Sequence, residues 1–459
     1  MYYGWATLGG NEWINNNRAA AYANIGISAG CTCGDLEASL GHELYNTPAD
    51  DPAPWYDPNT PASRDFHGIV GLGITGTGTT TSTSSWSELV DDGAVSGAQR
   101  RTSREIEFQV MLLAATEAGL SYGLEWMATL LRGSECRRGC VGDTLCLYAA
   151  CPAPEPHPDD DPCDPDPDNR PEPPPFDPVE AGDRVQRQLF DVAFLEADAP
   201  EVKRVSGAWT ATVTVTLKAG KPGIFHKPVT VVDSRDDQLN TPWRDTVQGW
   251  SPYWTPECPP LPDCGTTNPY CGNNAPWGPV AFPGSDPRYP IWVDPCYPVD
   301  PITVQRAIYS DHGARVPRVP DHLDKVPLIE VYTGSRPLHR VTIRFYNNPS
   351  RRPARPESLD TCEICNEITV PYVPAWTRVT FDGRTKRVDI ECDVNEATGR
   401  QRGYAGPSDL VLYGPYGQLL DWPAFPCGQP LLIEMVCKAG TLADDARYRL
   451  DWVARGDAS

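Results

Sequence analysis

Strict alternation of apolar and polar positions is the dominant pattern along this chain. In AWTATVTVTL, Trp209, Ala211, Val213, Val215 and Leu217 alternate with Thr210, Thr212, Thr214 and Thr216. This predicts a strand with one buried face and a threonine face open to water or to a neighbouring subunit. Ile106, Phe108, Val110 and Leu112 alternate in the same way. Thr116 is then placed to cap a helix whose Leu120, Leu124, Met127 and Leu131 follow the spacing of one helical face, with Gly133 placed to end it. The following LCLY at 145–148 reads as extended. The first module is therefore a β domain with one packed helix.

Towards the C-terminus, LIEVY, HRVTIRFY, EITVPYV, LLIEMV and ARYRLDWVA are short strand candidates separated by turn residues, the pattern of a β sandwich. Asp382-Gly383 between TRVTF and RTKRVDI predicts a hairpin with a two-residue type I′ turn. In the last strand Tyr448, Leu450 and Trp452 are expected inward, with Arg447, Arg449 and Asp451 outward. No repeat of fixed period runs through the chain, which weighs against solenoids and propellers.

Two compositional breaks separate these modules. Of residues 152–178, 12 of 27 are Pro and nine are Asp or Glu. Proline removes donors and like charges repel, so this stretch predicts a solvated, semi-rigid arm. Residues 236–325 hold Pro, Trp, Tyr and the cysteines Cys258, Cys264, Cys271 and Cys296 with little periodicity, and read as a long connector. The expected organisation is mainly β: a domain from 1–151 and 180–235, an inserted arm at 152–179, a connector at 236–325 and a sandwich at 326–459.

The chain has 459 residues, and its 39 Lys and Arg against 61 Asp and Glu leave a net charge of -22. Whole-surface attraction to nucleic acid phosphates or anionic lipid is opposed by that sign, so no direct nucleic acid binding is expected. The longest apolar runs, such as VMLLAA at 110–115, fall far short of the roughly 20 residues a spanning helix needs, so no membrane insertion is expected. With 14 Trp and 19 Tyr, the chain is expected to build folded modules despite its polarity. Its 16 cysteines suggest disulfides or metal, whereas the opening MYYGWATLGG lacks the basic and then apolar segments of a secretory signal. Synthesis in a reducing cytoplasm followed by exposure to an oxidising exterior reconciles the two; buried free thiols are the alternative.

Candidate chemistry is sparse. Gly71, Gly73 and Gly76 form a literal G-x-G-x-x-G, but TGTTTSTSSWS follows, a β-branched, turn-prone run unable to open the helix a dinucleotide site needs. A flexible polar loop is the expectation there. Cys362 and Cys365 have the gap of a zinc knuckle or redox pair, with Cys392 a candidate third thiolate and Cys427 or Cys437 a fourth. Cys136, Cys140, Cys146 and Cys151 form a tighter cluster whose gaps match no common zinc motif. Disulfides, free thiols and a structural zinc stay open at both. No cofactor is otherwise expected. The pairs Asp311-His312 and Asp321-His322 are adjacent in sequence, which does not supply the geometry of a triad. Trp376, Tyr413, Tyr416 and Trp422 lie in or beside loops of the last module, suited either to stacking on sugars or to the core.

Several segments carry a family resemblance: YYGWATLGGNEWINNNRAAAYA, TEAGLSYGLEWMATLLRG, LKAGKPGIFHKPV, SRPLHRVTIRFYNNP, CEICNEITVPYVPAWTRVTFDGRTKRV and RYRLDWVARG. Together they resemble the minor tail proteins of siphophages that infect actinobacteria, of the distal tail protein class. The resemblance spans about two thirds of the chain and fails in the Pro/Asp arm and much of 236–325. It implies a virion structural protein, made in the host cytoplasm and located at the tail tip. Its N-terminal β domain would form a ring, usually a hexamer, between the tail tube protein and the tip or baseplate proteins. A galectin-like or jelly-roll sandwich would follow, supporting receptor binding or touching host-surface polysaccharide. The family supplies no catalytic residues, so no enzyme is expected. A carbohydrate-binding adhesion protein is the alternative, and a tail-associated cell-wall hydrolase a third reading.

Overall fold

The computed structural model describes residues 3–26, 33–42, 44–80, 82–88, 94–97, 100–133, 142–152, 177–205, 207–234, 244–248, 280–281, 292–293, 302–312, 319–320, 322–355, 359, 363–392, 394, 404–407, 420, 422–425, 429–438 and 441–456. These residues are mostly β, in antiparallel pairings. Contacts divide the chain into two units, 1–228 with 453–459, and 229–452. The division falls a few residues before the expected 235, and the end of the last strand joins the first unit.

In the first unit the strands Asn11–Asn15, Trp5–Leu8, Asp143–Tyr148, Gln186–Ala197, Ala208–Ala219, Arg104–Ala114 and Phe66–Thr75 lie side by side in that order. The alternation read from sequence sets their faces. Ile106, Phe108, Val110 and Leu112 pair along Ala211, Val213, Val215 and Leu217, and all eight are buried. Each of the Val, Leu, Ile and Phe side chains among them contributes about 1.5–3 kcal/mol on removal from water. Helix Glu117–Leu131 covers this face with Leu120, Met127 and Leu131. Thr116 caps it as expected, its Oγ1 accepting from the Gly119 N–H at 3.0 Å. The helix ends on Arg132 as its C-cap, one residue before the expected glycine.

The glycine motif is not a loop. Gly71 and Gly73 lie within the Phe66–Thr75 strand, and Gly76, at φ +79°, turns the chain out of it. The reason is close approach: a Cβ on Gly71 would sit 2.1 Å from the Tyr3 carbonyl oxygen. The Pro/Asp arm at 153–176 lies outside the described residues. After it, Asp177 caps helix Pro178–Val185 by accepting from the Val179 and Glu180 amides, with proline at the tolerated first position.

The second unit is a sandwich of two sheets, as its patterning predicted. One holds Val229–Asp233, the first part of Arg447–Gly456, Asp324–Tyr332, Arg378–Asp382, Arg387–Glu391 and Tyr404–Pro407. The other runs Arg244–Gln248, Ile302–Ser310, Leu431–Lys438, Leu338–Asn347, Ile364–Val373. They meet through aromatic rings: Phe345 lies 5.8 Å from Trp452 and 5.0 Å from Phe425, and the Tyr309 hydroxyl donates to that of Tyr448 at 3.0 Å.

Three expectations change here. Arg244–Gln248 and Ile302–Ser310 are strands of the second sheet, so residues 236–325 are not connector throughout; prolines around these short runs hide their period. The hairpin at Asp382 exists, but its strands are joined by four residues, 383–386, with the positive φ at Lys386. Gly383 instead permits contact, because a Cβ there would lie 2.7 Å from the Pro327 carbonyl oxygen. Asp451, expected outward, is buried and accepts from the Arg449 guanidinium at 2.8 Å.

Candidate assembly edge and outer aromatic residues

The threonine strand does not lie at an edge. Ala208–Ala219 is flanked by Arg104–Ala114 along its whole length on one side. On the other it pairs with Gln186–Ala197 and then with Glu201–Val205. Its backbone groups are thus engaged on both sides, and Thr210, Thr212 and Thr214 are half-buried while Thr216 is buried. Strand addition by a second chain is unavailable to it, and the expected subunit contact at Thr210, Thr212, Thr214 and Thr216 would have to be made through the threonine face.

An open edge lies beside it, the neighbouring Glu201–Val205. Among the described residues this strand pairs only with Ala208–Ala219, and all five of its residues are exposed. Val202 and Val205 are each about half exposed, as is Leu195 in the strand before. Arg204 places its guanidinium 5.8 Å from the centroid of the Trp209 ring, and Lys203 pairs with Glu201 at 2.7 Å. Sequence reasoning missed this edge, because EVKRV has no clean alternation; its signal is two valines among charges beside a strong strand.

The segment NEWINNNR of the resemblance is a buried polar lock. Glu12 accepts from Asn15 Nδ2 at 2.9 Å and from the Trp5 indole at 3.2 Å, and its other oxygen lies 2.9 Å from Arg18 Nε. The Arg18 guanidinium sits over the Tyr45 ring at 4.4 Å and donates to the Tyr22 hydroxyl and the Asp51 carbonyl. Burial first, then the Glu12 charge, pushes the Tyr45 hydroxyl up to about 12. Each charge in the lock has a partner, and its role is to hold the N-terminus against residues 45–51.

Of the cysteines, Cys151 is bonded to Cys33, 118 residues away in sequence and outside the predicted cluster. Cys146 is a half-buried thiol on the same packed patch as Cys33, Trp5 and Tyr148. Cys136, Cys140, Cys362 and Cys427 lie outside the described residues. Cys365 is an exposed thiol, Cys392 a half-buried one and Cys437 a buried one. Among the described residues, no three His, Cys, Asp or Glu side chains are grouped to hold a metal. Although the Cys365 residue as a whole is exposed, its thiol is partly withdrawn from water, which raises it above its ordinary value and makes it a poor thiolate.

Ser310, His312 and Asp311 do come together, Ser310 Oγ lying 3.0 Å from His312 Nδ1 and 3.3 Å from Nε2 and Asp311 Oδ1 lying 3.3 Å from Nδ1, so the serine's shorter contact is to the nitrogen that the carboxylate already faces. A relay needs the serine and the carboxylate on opposite ring nitrogens. Asp311 is instead a structural anchor, accepting from Lys325 Nζ and from the Leu431 amide, each at 2.8 Å.

The predicted sugar-stacking residues divide. Trp376 is exposed in the turn between Ile364–Val373 and Arg378–Asp382, Trp422 is half-buried, and Tyr413 and Tyr416 lie outside the described residues. The structure adds Tyr372, exposed four residues before Trp376, its ring 5.0 Å from that of His339.

No family model matches this chain, and no curated protein matches it. Among the solved structures similar to it are two phage structures. One is the Dit (gp 19.1) protein of phage SPP1, described as a paradigm of the hub adsorption apparatus in phages infecting Gram-positive bacteria, at 9% identity and a TM-score of 0.34, covering 84% of this chain and 93% of that one. The other is the phage P2 baseplate in its activated conformation with Ca, at 9% identity and a TM-score of 0.39, covering 85% of this chain and 92% of that one. At these scores the likeness carries no weight of its own, and a functional reading has to rest on the residues.

Proposed function

We propose that this protein is a structural component of a phage tail tip, in which copies of its N-terminal unit close into a ring, six in number, between the tail tube and the tip or baseplate proteins. The observation that carries the reading is the open Glu201–Val205 edge with its exposed valines. A strand edge with free backbone groups is a template for another chain, and a repeated heterologous contact closes into a ring when its rotation allows. Lys203 and Arg204 within that edge discourage indiscriminate pairing and suit an acidic neighbour, which a chain of net charge -22 supplies. The sequence resemblance to distal tail proteins points the same way. The Cys33–Cys151 bond suits a protein that ends outside the cell. The second unit is the galectin-like sandwich of this reading, an outer domain that supports receptor binding. The role needs no catalytic group and no cofactor.

Electron microscopy of the negatively stained protein tests the proposal. Closed rings with six-fold symmetry are expected; fields of single chains at every concentration would contradict it.

A further inference from the structure

Lysine is almost never fully buried, because its ammonium loses its hydration on leaving water and needs a partner to replace it. Among the described side chains, Lys325 is the one lysine buried from solvent. Its Nζ donates to Asp311 Oδ2 at 2.8 Å and to the Gln429 carbonyl at 2.9 Å. The lysine side chain is 6% exposed and the aspartate side chain 0%, so the pair meets in a dry site. Backbone pairing fixes both ends. Asp311 directly follows the strand Ile302–Ser310 of one sheet, and its amide donates to the Leu431 carbonyl at 3.3 Å. Lys325 lies in the strand Asp324–Tyr332 of the opposite sheet, its N–H and its carbonyl both bonded to Phe425, at 2.8 and 2.9 Å. The pair therefore reaches from one sheet of the sandwich to the other.

The two oxygens of Asp311 face different groups. Oδ2 faces the lysine nitrogen, whereas Oδ1 accepts from the Leu431 N–H at 2.8 Å and lies 3.3 Å from His312 Nδ1. One oxygen is thus set beside a nitrogen and the other on a fixed backbone donor. Such a donor stabilises the charge that develops on a carboxyl oxygen when its carbon is attacked. A nitrogen hydrogen-bonded to one carboxyl oxygen lies within about 4 Å of the carboxyl carbon, close to the roughly 3–3.5 Å of a reactive approach. The buried Arg344, between Glu367 and Glu434, has no such chemistry, because a guanidinium keeps its proton.

We infer that Lys325 and Asp311 are joined by an amide bond that the folded chain forms by itself, a covalent tie between the two sheets of the second unit. One proton passes from Nζ to Oδ2 along their hydrogen bond, leaving an amine and a carboxylic acid. The amine lone pair attacks Cγ, forming the Nζ–Cγ bond and placing a negative charge on Oδ1, where the Leu431 N–H holds it. A second proton moves from Nζ to Oδ2, the Cγ–Oδ2 bond breaks, and Oδ2 leaves as water while Oδ1 becomes a carbonyl again. The third ammonium proton stays as the amide N–H, and nothing is oxidised or reduced. Two buried charges are exchanged for one neutral amide, which retains the Leu431 N–H as a donor to its oxygen and the Gln429 carbonyl as an acceptor for its N–H. The inference is independent of ring formation, since the bond lies within one chain.

Mass spectrometry of the full chain, reduced and unfolded, tests it. The chain is expected to be one water lighter than its sequence. Tryptic mapping locates the loss. An acylated Lys325 resists cleavage, so residues 319–340 should remain one peptide, joined to residues 307–315. Lys325→Arg offers Asp311 a cation without an amine, and is expected at the full mass of its own sequence with no branched peptide. The wild-type map decides the matter if that variant fails to fold. A wild-type chain cut after Lys325, with 307–315 recovered free, would overturn the inference, as would a water loss that persists in Lys325→Arg.

Discussion

The Asn16 side chain stands in for a strand beside Gly71. Its Nδ2 donates to the Gly71 carbonyl at 3.1 Å and its Oδ1 accepts from the Gly71 N–H at 2.7 Å, in a site closed to water. One carboxamide thereby completes the edge of the Phe66–Thr75 strand at this residue, where the Tyr3 backbone leaves no room for a side chain.

Asn16→Ala leaves two backbone groups buried without these partners, at about 1–3 kcal/mol each. A loss of roughly 2–5 kcal/mol is expected in chemical denaturation, with the fold's topology retained. Asn16→Asp should be no better, since it keeps the acceptor but loses the donor to the Gly71 carbonyl. An Asn16→Ala variant as stable as wild type would show that the carboxamide is replaceable.

The Cys33–Cys151 bond closes a loop of 118 residues, and chain-entropy arithmetic assigns about 5 kcal/mol to a loop of that length. Reductant, or Cys33→Ser with Cys151→Ser, is expected to lower the melting temperature of the first unit. In the double variant, reductant should have no further effect on that unit's transition. Identical melting of wild type with and without reductant would show that the bond contributes nothing.

Much of the fold is legible in the sequence and much of the site is not, for a common reason. Period-two alternation reports one buried face and one open face, so Ile106–Leu112, Trp209–Leu217 and the helix at 117–131 can be read directly. It cannot report which strand ends a sheet. Thr210, Thr212 and Thr214 look like an outer strand until Glu201–Val205 pairs beside them. Alternation also gives no sign of polar residues on a covered face: Arg344 is buried between Glu367, at 2.7 Å, and Glu434, at 3.1 Å. Cys33 offers no spacing signal for Cys151, because sheets bring distant residues together without any sequence rule. Trp376 was visible as an aromatic near a loop, but its positive φ and the neighbouring exposure of Tyr372 are properties of the folded turn.

The Arg344 network gives a further test. Glu434 also accepts from the Tyr346 hydroxyl at 2.6 Å and from Arg306 at 3.3 Å. Removing one member strands the others in a dry site, so Glu434→Ala is expected to cost about 3–5 kcal/mol or to abolish folding of the second unit. Replacing the exposed Glu201, whose ion pair with Lys203 is open to solvent, should change stability by less than about 1 kcal/mol. Equal effects of the two substitutions on the denaturation midpoint would contradict the burial argument.

Alkali offers a separate readout. Burial is the largest cause that lifts the Tyr45 and Tyr148 hydroxyls to about 12, against about 10 in an unfolded chain. The unfolded state therefore loses these protons first, and between those values it binds fewer protons than the native state. Stability should be intact below pH 10 and fall as pH rises towards 12. Tyr148→Phe should shallow that decline. A stability profile flat from pH 9 to 12 would mean that these hydroxyls titrate alike in both states.

The central claim, assembly through the Glu201–Val205 edge, is tested most directly by the mass of the purified protein in solution. Light scattering is expected to give about 302 kDa, six copies of a 50.3 kDa chain. Val202→Asp with Val205→Asp, at exposed positions, should return the particle to the mass of one chain without lowering its melting temperature. A wild-type protein that stays at 50.3 kDa across concentration, or a ring indifferent to both substitutions, would contradict the account.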